Sequence, residues 1–208
     1  MWEDFLDQIV YDQDTLKVTV GANYQTQEIA YLGKPATVDH DGPVGFTGSY
    51  GTGQTVVACT WCSTTVLAST FNKDLAYGMG LSIGREMSTQ ETSGWYGPAM
   101  NNQRSPFSGR NYEYYSEDPV LSGMIATEEI SGAASQGVYA ELKHFVLNDE
   151  EVNRNAQCSV WVNEQALREI YLKPFEICVK NAWCETPYIS DDQGTISTAV
   201  QRATRGIM

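Results

Sequence analysis

The sequence is poor in positive charge: 13 lysines and arginines stand against 26 aspartates and glutamates, a formal net charge of −13 over 208 residues. A chain of that sign repels phosphate backbones and anionic membrane surfaces, so neither nucleic acid nor a membrane is an expected partner. No stretch approaches the roughly 18 consecutive apolar residues of a membrane-spanning helix. Met1-Trp2-Glu3-Asp4 also lacks the basic and apolar regions of a secretory leader, and the chain is expected to be soluble and cytoplasmic. Cysteine is too sparse and irregular for a disulfide framework, since Cys59, Cys62, Cys158, Cys178 and Cys184 make an odd number, as reduced thiols would. The one CxxC, Cys59-Thr60-Trp61-Cys62, shows neither the helix start of a redox centre nor the second ligand pair of a zinc site. Packing is its expected role, a redox site the alternative, and no metal or cofactor is expected. Repeats, low-complexity tracts and Pro/Ser-rich linkers are missing as well. Residues 1–208 therefore read as one domain, or as part of a larger one.

What is present is an alternation of strand-like and helix-like segments. Residues 36–39 form a short extended run ending in Asp41-Gly42-Pro43, where glycine and proline turn the backbone. The spacing predicts a helix from an Asn72 N-cap to about residue 86, with Leu75, Met79 and Ile83 on one face. Trp95-Tyr96 is a candidate strand, and the polar, aromatic stretch over residues 100–117 is too long for a simple connection. Asp118-Pro119 supplies an N-cap and an N1 proline for a helix through Leu121, Met124, Ile125 and Glu128 towards Gly132. Residues 138–147 read as a strand with Val138, Ala140, Leu142 and His144 on one side and Tyr139, Glu141, Lys143 and Phe145 on the other. Asn163 opens a helix through Leu167, Ile170 and Tyr171, which Pro174 should break or kink before residues 175–180 continue it. Gly206-Ile207-Met208 resembles the beginning of a further strand. This order implies a parallel sheet with crossover helices, doubly wound or closed into a barrel. A full (β/α)8 barrel takes roughly 250 residues, so a barrel here would be incomplete.

A parallel strand covered on both faces should be almost wholly apolar. Lys143 and His144 break that rule. At the C-terminal end of a barrel strand such groups face the active-site rim, so ligand contact is the expectation and a surface ion pair with Glu141 or Glu150 the alternative. The loop over residues 101–118 concentrates guanidinium, amide, carboxylate and phenol groups. That set suits a neutral polyhydroxylated ligand, although solvation alone also accounts for a polar loop.

Four segments then align with a known pattern in order and spacing. They are Asp41-Gly42-Pro43-Val44-Gly45; Gly109-Arg110-Asn111-Tyr112-Glu113-Tyr114-Tyr115-Ser116-Glu117-Asp118-Pro119; Lys143-His144-Phe145 with Asn148-Asp149; and EQALREIYLKPF over residues 164–175. Together they resemble family 3 glycoside hydrolases, from about residue 33 to residue 208. The resemblance implies a TIM-like (β/α)8 barrel, incomplete, and a β-glucosidase-like parent enzyme that retains configuration at the sugar.

Position by position, the resemblance implies that Asp41 accepts hydrogen bonds from a sugar and that Arg104, Lys143 and His144 donate to it, with Arg154 and Met208 as further contacts. The residues alone leave Asp41 open to a turn-capping role and Arg154 to a surface one. Arg110, Glu113, Glu117 and Asp118 are expected to support the site or cap helices, and His40 to be structural. The family pattern often has an arginine shortly after Asp-Gly-Pro-x-Gly, where this chain has Phe46-Thr47-Gly48, which leaves one sugar contact unassigned. Retention needs two carboxyl groups roughly 5 to 5.5 Å apart. The resemblance places the nucleophilic aspartate past the position of Met208 and the acid/base further on, so no catalytic residue is expected here. Asp149, Glu150 and Glu151 read as a solvated loop. The expected partner is a β-linked glucoside or oligosaccharide, bound but not hydrolysed, with self-association through open barrel edges. A non-catalytic carbohydrate-binding or pseudoenzyme module is the alternative.

Overall fold

A computed structural model describes residues 3–4, 7–10, 13–14, 24–48, 55–154, 159–182 and 199–202. Met208, Cys158, Cys184 and the strand expected at residues 206–208 lie outside the described residues. Five strands form one sheet in chain order: β1 (Gln25–Thr26), β2 (Thr37–Asp41), β3 (Gly94–Tyr96), β4 (Tyr139–Phe145) and β5 (Ala199–Arg202). The first pairing is antiparallel and the next three are parallel. Helices α1 (Thr64–Ser69) and α2 (Lys73–Thr89) cross from β2 to β3, α3 (Pro119–Ala134) from β3 to β4, and α4 (Glu164–Ala166) and α5 (Lys173–Asn181) follow β4. Successive parallel strands joined through helices make this part of a TIM-like (β/α)8 barrel, incomplete in the described residues. Among these residues no helix is long and apolar enough to cross a membrane.

Local chemistry sets most of the boundaries. Strand β2 runs two residues further than the expected extended run, because His40 and Asp41 pair with Trp95 and Tyr96. Asp41 therefore closes the strand, and Trp95 Nε1 donates to the Gly42 carbonyl at 2.9 Å to hold the turn behind it. Asn72 caps α2 by accepting from Leu75 N at 3.1 Å. Asp118 caps α3 through Val120 N and Leu121 N, with Pro119 in the first turn, where an N–H would be unsatisfied anyway. Asn163 caps α4 by accepting from Ala166 N at 2.8 Å. Between α4 and α5 the helix widens into a π-turn over Leu167–Tyr171, closed by Leu172 N donating to Leu167 O. Pro174 sits in the first turn of α5, so the expected break falls just before the proline, where its missing N–H is tolerated.

Met79 and Ile83 face inward as expected, together with Ala76, Gly80, Gly84 and Met87 of α2, while Leu75 is half exposed. Helix α3 is packed by both α2 and α5 and is buried almost all round, while Met124 faces out. Helices α2 and α3 meet at backbone distance. A Cβ on Gly80 would stand 1.9 Å from the Glu129 carbonyl oxygen, one on Gly84 2.8 Å from that of Ala133, and one on Gly132 2.3 Å from that of Tyr77.

That contact yields a paired test. Gly80→Ala is expected to destabilise the chain by about 1–3 kcal/mol through overpacking. Gly78→Ala, on the same helix with nothing within 4 Å of the added methyl, is expected to stabilise it by roughly 0.5–1 kcal/mol. Urea unfolding measures both, and equal effects would contradict close α2/α3 packing.

Candidate sugar-binding site

The C-terminal ends of β2 and β4, with the segment that follows β3, bring the candidate residues together. After Tyr96 the chain continues alongside β4: Lys143 N donates to Pro98 O at 3.1 Å and Met100 N donates to Lys143 O at 2.8 Å. This seam places residues 101–118 over the ends of the strands. Lys143 is 2% exposed, and a buried ammonium has to find opposite charge. Its Nζ lies 2.5 Å from Asp41 Oδ1 and 3.6 Å from Glu113 Oε2. The alternative partners Glu141 and Glu150 are not used by it.

From Glu113 the charges continue in alternating sign. Its other oxygen accepts from Arg110 Nε. Arg110 Nη1 stands 3.6 Å from Glu151 Oε1, and Glu151 Oε2 accepts from Arg154 Nε at 2.8 Å. Asp41, Lys143, Glu113, Arg110, Glu151 and Arg154 thus form one row across the site, acid next to base throughout. Glu113 is itself buried, whereas the Asp41 side chain remains 41% exposed. Asp41 is the end of the row that meets solvent.

His144 lies beneath this row. Arg110 Nη2 contacts its Nε2, and because a guanidinium can only donate, Nε2 must be the acceptor. The ring proton then sits on Nδ1, which faces Asn101 Oδ1 at 3.3 Å and the Tyr114 hydroxyl at 3.2 Å. Asn101 also grips the backbone on either side of the ring, donating to His144 O and accepting from His144 N. Tyr114 is fixed in turn by Asn148, whose Nδ2 donates to its hydroxyl at 3.0 Å. Burial, reinforced by the Arg110, Lys143 and Arg154 charges, pushes the imidazole well below its ordinary value, so it is neutral.

Lys143 and His144 were expected on opposite sides of their strand, yet both reach residues 110–114. Regular alternation does not hold there, because the register of β4 against β5 shifts between Leu142 and Phe145. Arg104 lies apart from the row. It is exposed, with its guanidinium 5.6 Å over the Tyr171 ring. Near it, burial pushes the Asp149 carboxyl up to about 6, against the pull of Arg104 and a backbone bond from Asn102. The reading of residues 149–151 as a solvated loop therefore fails except at Glu150, since Asp149 is largely buried and Glu151 bridges two arginines. Thr47 donates through N and Oγ1 to the Asp41 carbonyl, which ties the Phe46-Thr47-Gly48 segment back onto β2. His40 is fully buried against Phe46 in the core side of β2, in keeping with a structural role.

Asn101 and Tyr114 escaped residue-level assignment. The only signal for them was the density of amides and phenols in their loop. Cys59 and Cys62 are both exposed, and Glu86, bonding to Cys59, raises that thiol rather than activating it, which argues against redox chemistry there. No cluster suited to a metal occurs among the described residues.

Residues 10–185 match the glycosyl hydrolase family 3 N terminal domain. A probable beta-glucosidase H of Aspergillus flavus is 38% identical over 180 residues, which cover 86% of this chain and 22% of that protein. A beta-glucosidase of Ruminococcus albus is 44% identical over 151 residues, 73% of this chain and 15% of that protein. The chain thus spans about a fifth of the length of these relatives. Among solved structures, beta-glucosidase from Kluyveromyces marxianus in complex with glucose superposes with a TM-score of 0.80 at 34% identity, covering 97% of this chain and 23% of that one. Beta-glucosidase 3B from Thermotoga neapolitana in complex with alpha-D-glucose gives 0.78 at 33%, covering 98% and 30%.

The neutral His144 carries a pH signature. Its folded value lies below the ordinary 6.5, so in acid the unfolded chain binds a proton that the folded chain refuses, and stability falls as pH drops below about 6.5. Nitrogen NMR of the ring is expected to show a neutral imidazole, protonated on Nδ1, at every pH where the chain stays folded. A ring that titrates near 6.5 would contradict the Arg110 contact.

Proposed function

Because the chain belongs to glycosyl hydrolase family 3, as its N-terminal domain, we propose that residues 1–208 are part of the sugar-binding barrel of a β-glucosidase. In this reading the whole enzyme hydrolyses terminal β-D-glucosyl or related residues with retention of configuration, and this chain holds the sugar. The observation that carries the reading is the Asp41–Lys143 pair, an acceptor and a donor presented together at the C-terminal ends of two parallel strands.

The chemistry of the pair suits a polyol. A sugar offers each hydroxyl as donor and acceptor at once, so an ion pair with one exposed end can bond two adjacent hydroxyls without a net charge on the ligand. Asp41 accepts and Lys143 donates, whereas His144, expected to donate, has its Nδ1–H turned to Asn101 and Tyr114 and its one Nε2 lone pair taken by Arg110, so it serves the site by holding Arg110 in place. Arg154 steadies the far end of the row through Glu151, and Arg104 donates from beside Tyr171. Met208 is carried in the proposal on the family resemblance alone.

The same charges argue that the chemical step lies elsewhere. Retention takes one carboxylate that bonds to the anomeric carbon and a second carboxyl that gives and then takes a proton. Here Asp41, Glu113 and Glu151 are each engaged by a cation, which suits none of the three to the proton-exchanging role. Self-association through open sheet edges belongs to the same proposal, and exposed Trp161 and Phe107 provide apolar surface for it.

Titration calorimetry with D-glucose tests the reading. Binding is expected for the chain itself, with Asp41→Asn and Lys143→Met each weakening it at least about tenfold, the loss of one charge-assisted hydrogen bond. No release of nitrophenol from an aryl β-glucoside is expected. Unchanged binding in both variants would overturn the assignment, and turnover by the chain would overturn the placement of the chemistry.

A further inference from the structure

Glu129 stands apart from the charge row of the site. It is a fully buried carboxyl on α3, and among the described residues no lysine or arginine pairs with it. Its Oε2 accepts from the Tyr115 hydroxyl, while its Oε1 has no partner. The titratable groups facing it come from two neighbouring elements, while α2 presents Gly80 there. Tyr115 arrives from the loop, Cys178 from α5, and the Cys178 thiol is itself held by Thr127 and Gly123 of α3. None of these offers a positive charge, so the pocket favours the protonated acid. Burial pushes the carboxyl up to about 8 and the Cys178 thiol up to about 12.

Tyr115 lies three residues before the Asp118 cap of α3, and it directly follows the residues that hold the site. Glu113 meets Lys143, and Tyr114 meets His144. The 3-10 turn at Asn111–Glu113 has no side-chain cap of its own. Besides its bonds to Thr64, Thr65 and Gln103, the segment is attached to α3 through Tyr115, which is 1% exposed. We infer that Glu129 is a positioning residue, which through Tyr115 fixes residues 110–114 against Lys143 and His144 and so sets the geometry of the site from the far side of the core. The backbone carbonyls of Asn111, Tyr112 and Tyr114 are held by Thr64, Thr65 and Gln103, so what Tyr115 adds is the tie to α3, and hydrogen-bond strength at a site falls off steeply with the displacement its loss would allow.

The linkage has a definite sign. In the unfolded chain the carboxyl loses its proton near 4.5, and in the folded chain near 8. Between those values the folded state holds one proton more, so stability declines as pH rises across the window and levels off above it. The glutamine of Glu129→Gln keeps an acceptor for Tyr115 and has no proton to lose.

The experiment compares the full chain with Glu129→Gln, Glu129→Leu and Tyr115→Phe. Three readouts are taken: melting temperature from about pH 4.5 to 8, the His144 ring resonances, and D-glucose binding. Wild type is expected to lose melting temperature with rising pH relative to Glu129→Gln, which should match wild type in ring resonances and affinity. Glu129→Leu and Tyr115→Phe should remain folded, shift the His144 resonances, and weaken glucose binding by about tenfold, the equivalent of one lost hydrogen bond. Parallel pH profiles for wild type and Glu129→Gln, or His144 resonances unmoved in Tyr115→Phe, would overturn the inference. Should Glu129→Leu fail to fold, Tyr115→Phe decides. The affinity arm rests on the sugar-binding reading, whereas the resonances and pH profile do not: a wild-type chain that ignores glucose removes that reading and leaves the tether to be judged on the other two.

Discussion

An ammonium group buried to 2% exposure obliges the protein to bring carboxylates to it, and Lys143 draws two, from different parts of the chain. Asp41 comes from the end of β2, 102 positions earlier in sequence, and Glu113 from the loop after β3. Removing one partner of a buried pair typically costs about 3–5 kcal/mol, because the other charge is left unpaired. The pull is therefore strong enough to decide where the loop lies. Glu113 passes the constraint on to Arg110, and Arg110 to His144 and Glu151, until Arg154 closes the row. Three acids and three bases leave the row without net charge in a protein that is otherwise strongly acidic.

Such a row can hold its shape only on a rigid base. The strands provide the front of it through parallel pairing of β2, β3 and β4. Behind the sheet, α2 and α3 approach until no Cβ fits between Gly80 or Gly132 and the opposing carbonyl, which fixes α3 against α2. Helix α3 in turn carries the Asp118 cap at one end of the loop and Glu129 behind Tyr115. Local capping, helix packing and site geometry are thus successive consequences of one arrangement, in which small residues allow close approach and buried polar groups use it.

Much of this was legible in the residues. Asn72, Asp118 and Asn163 are caps by chemistry alone, since a short side chain with an oxygen acceptor satisfies an orphan N–H whatever the fold around it. Lys143 and His144 announced themselves as polar groups in an apolar strand, and the Asp-Gly-Pro turn fixed the end of β2. What stayed hidden depends on distant contacts. Leu75 has the right spacing for the core but lies on the wrong side of a helix whose inward face is set by glycine packing. The sidedness of Lys143 and His144 followed from a regular strand and failed where the ladder shifts register. Glu151 sat in a run of three acids that looks solvated, and it is the arrival of Arg110 from 41 positions away, added to its neighbours Asn148 and Arg154, that makes it a bridge in the row. Glu129 carried no sequence signal at all, because nothing in a helix segment reveals that a tyrosine from the preceding loop lies on top of it.

The sugar reading and the charge row meet at the exposed end of Asp41. A crystal structure of the chain soaked in D-glucose tests their union most directly. The expected result is a pyranose at the C-terminal ends of β2 and β4, with hydroxyl oxygens within hydrogen-bond distance of both the Asp41 carboxylate and Lys143 Nζ. Glucose at saturating concentration that binds elsewhere, or leaves that cleft to water, would contradict it.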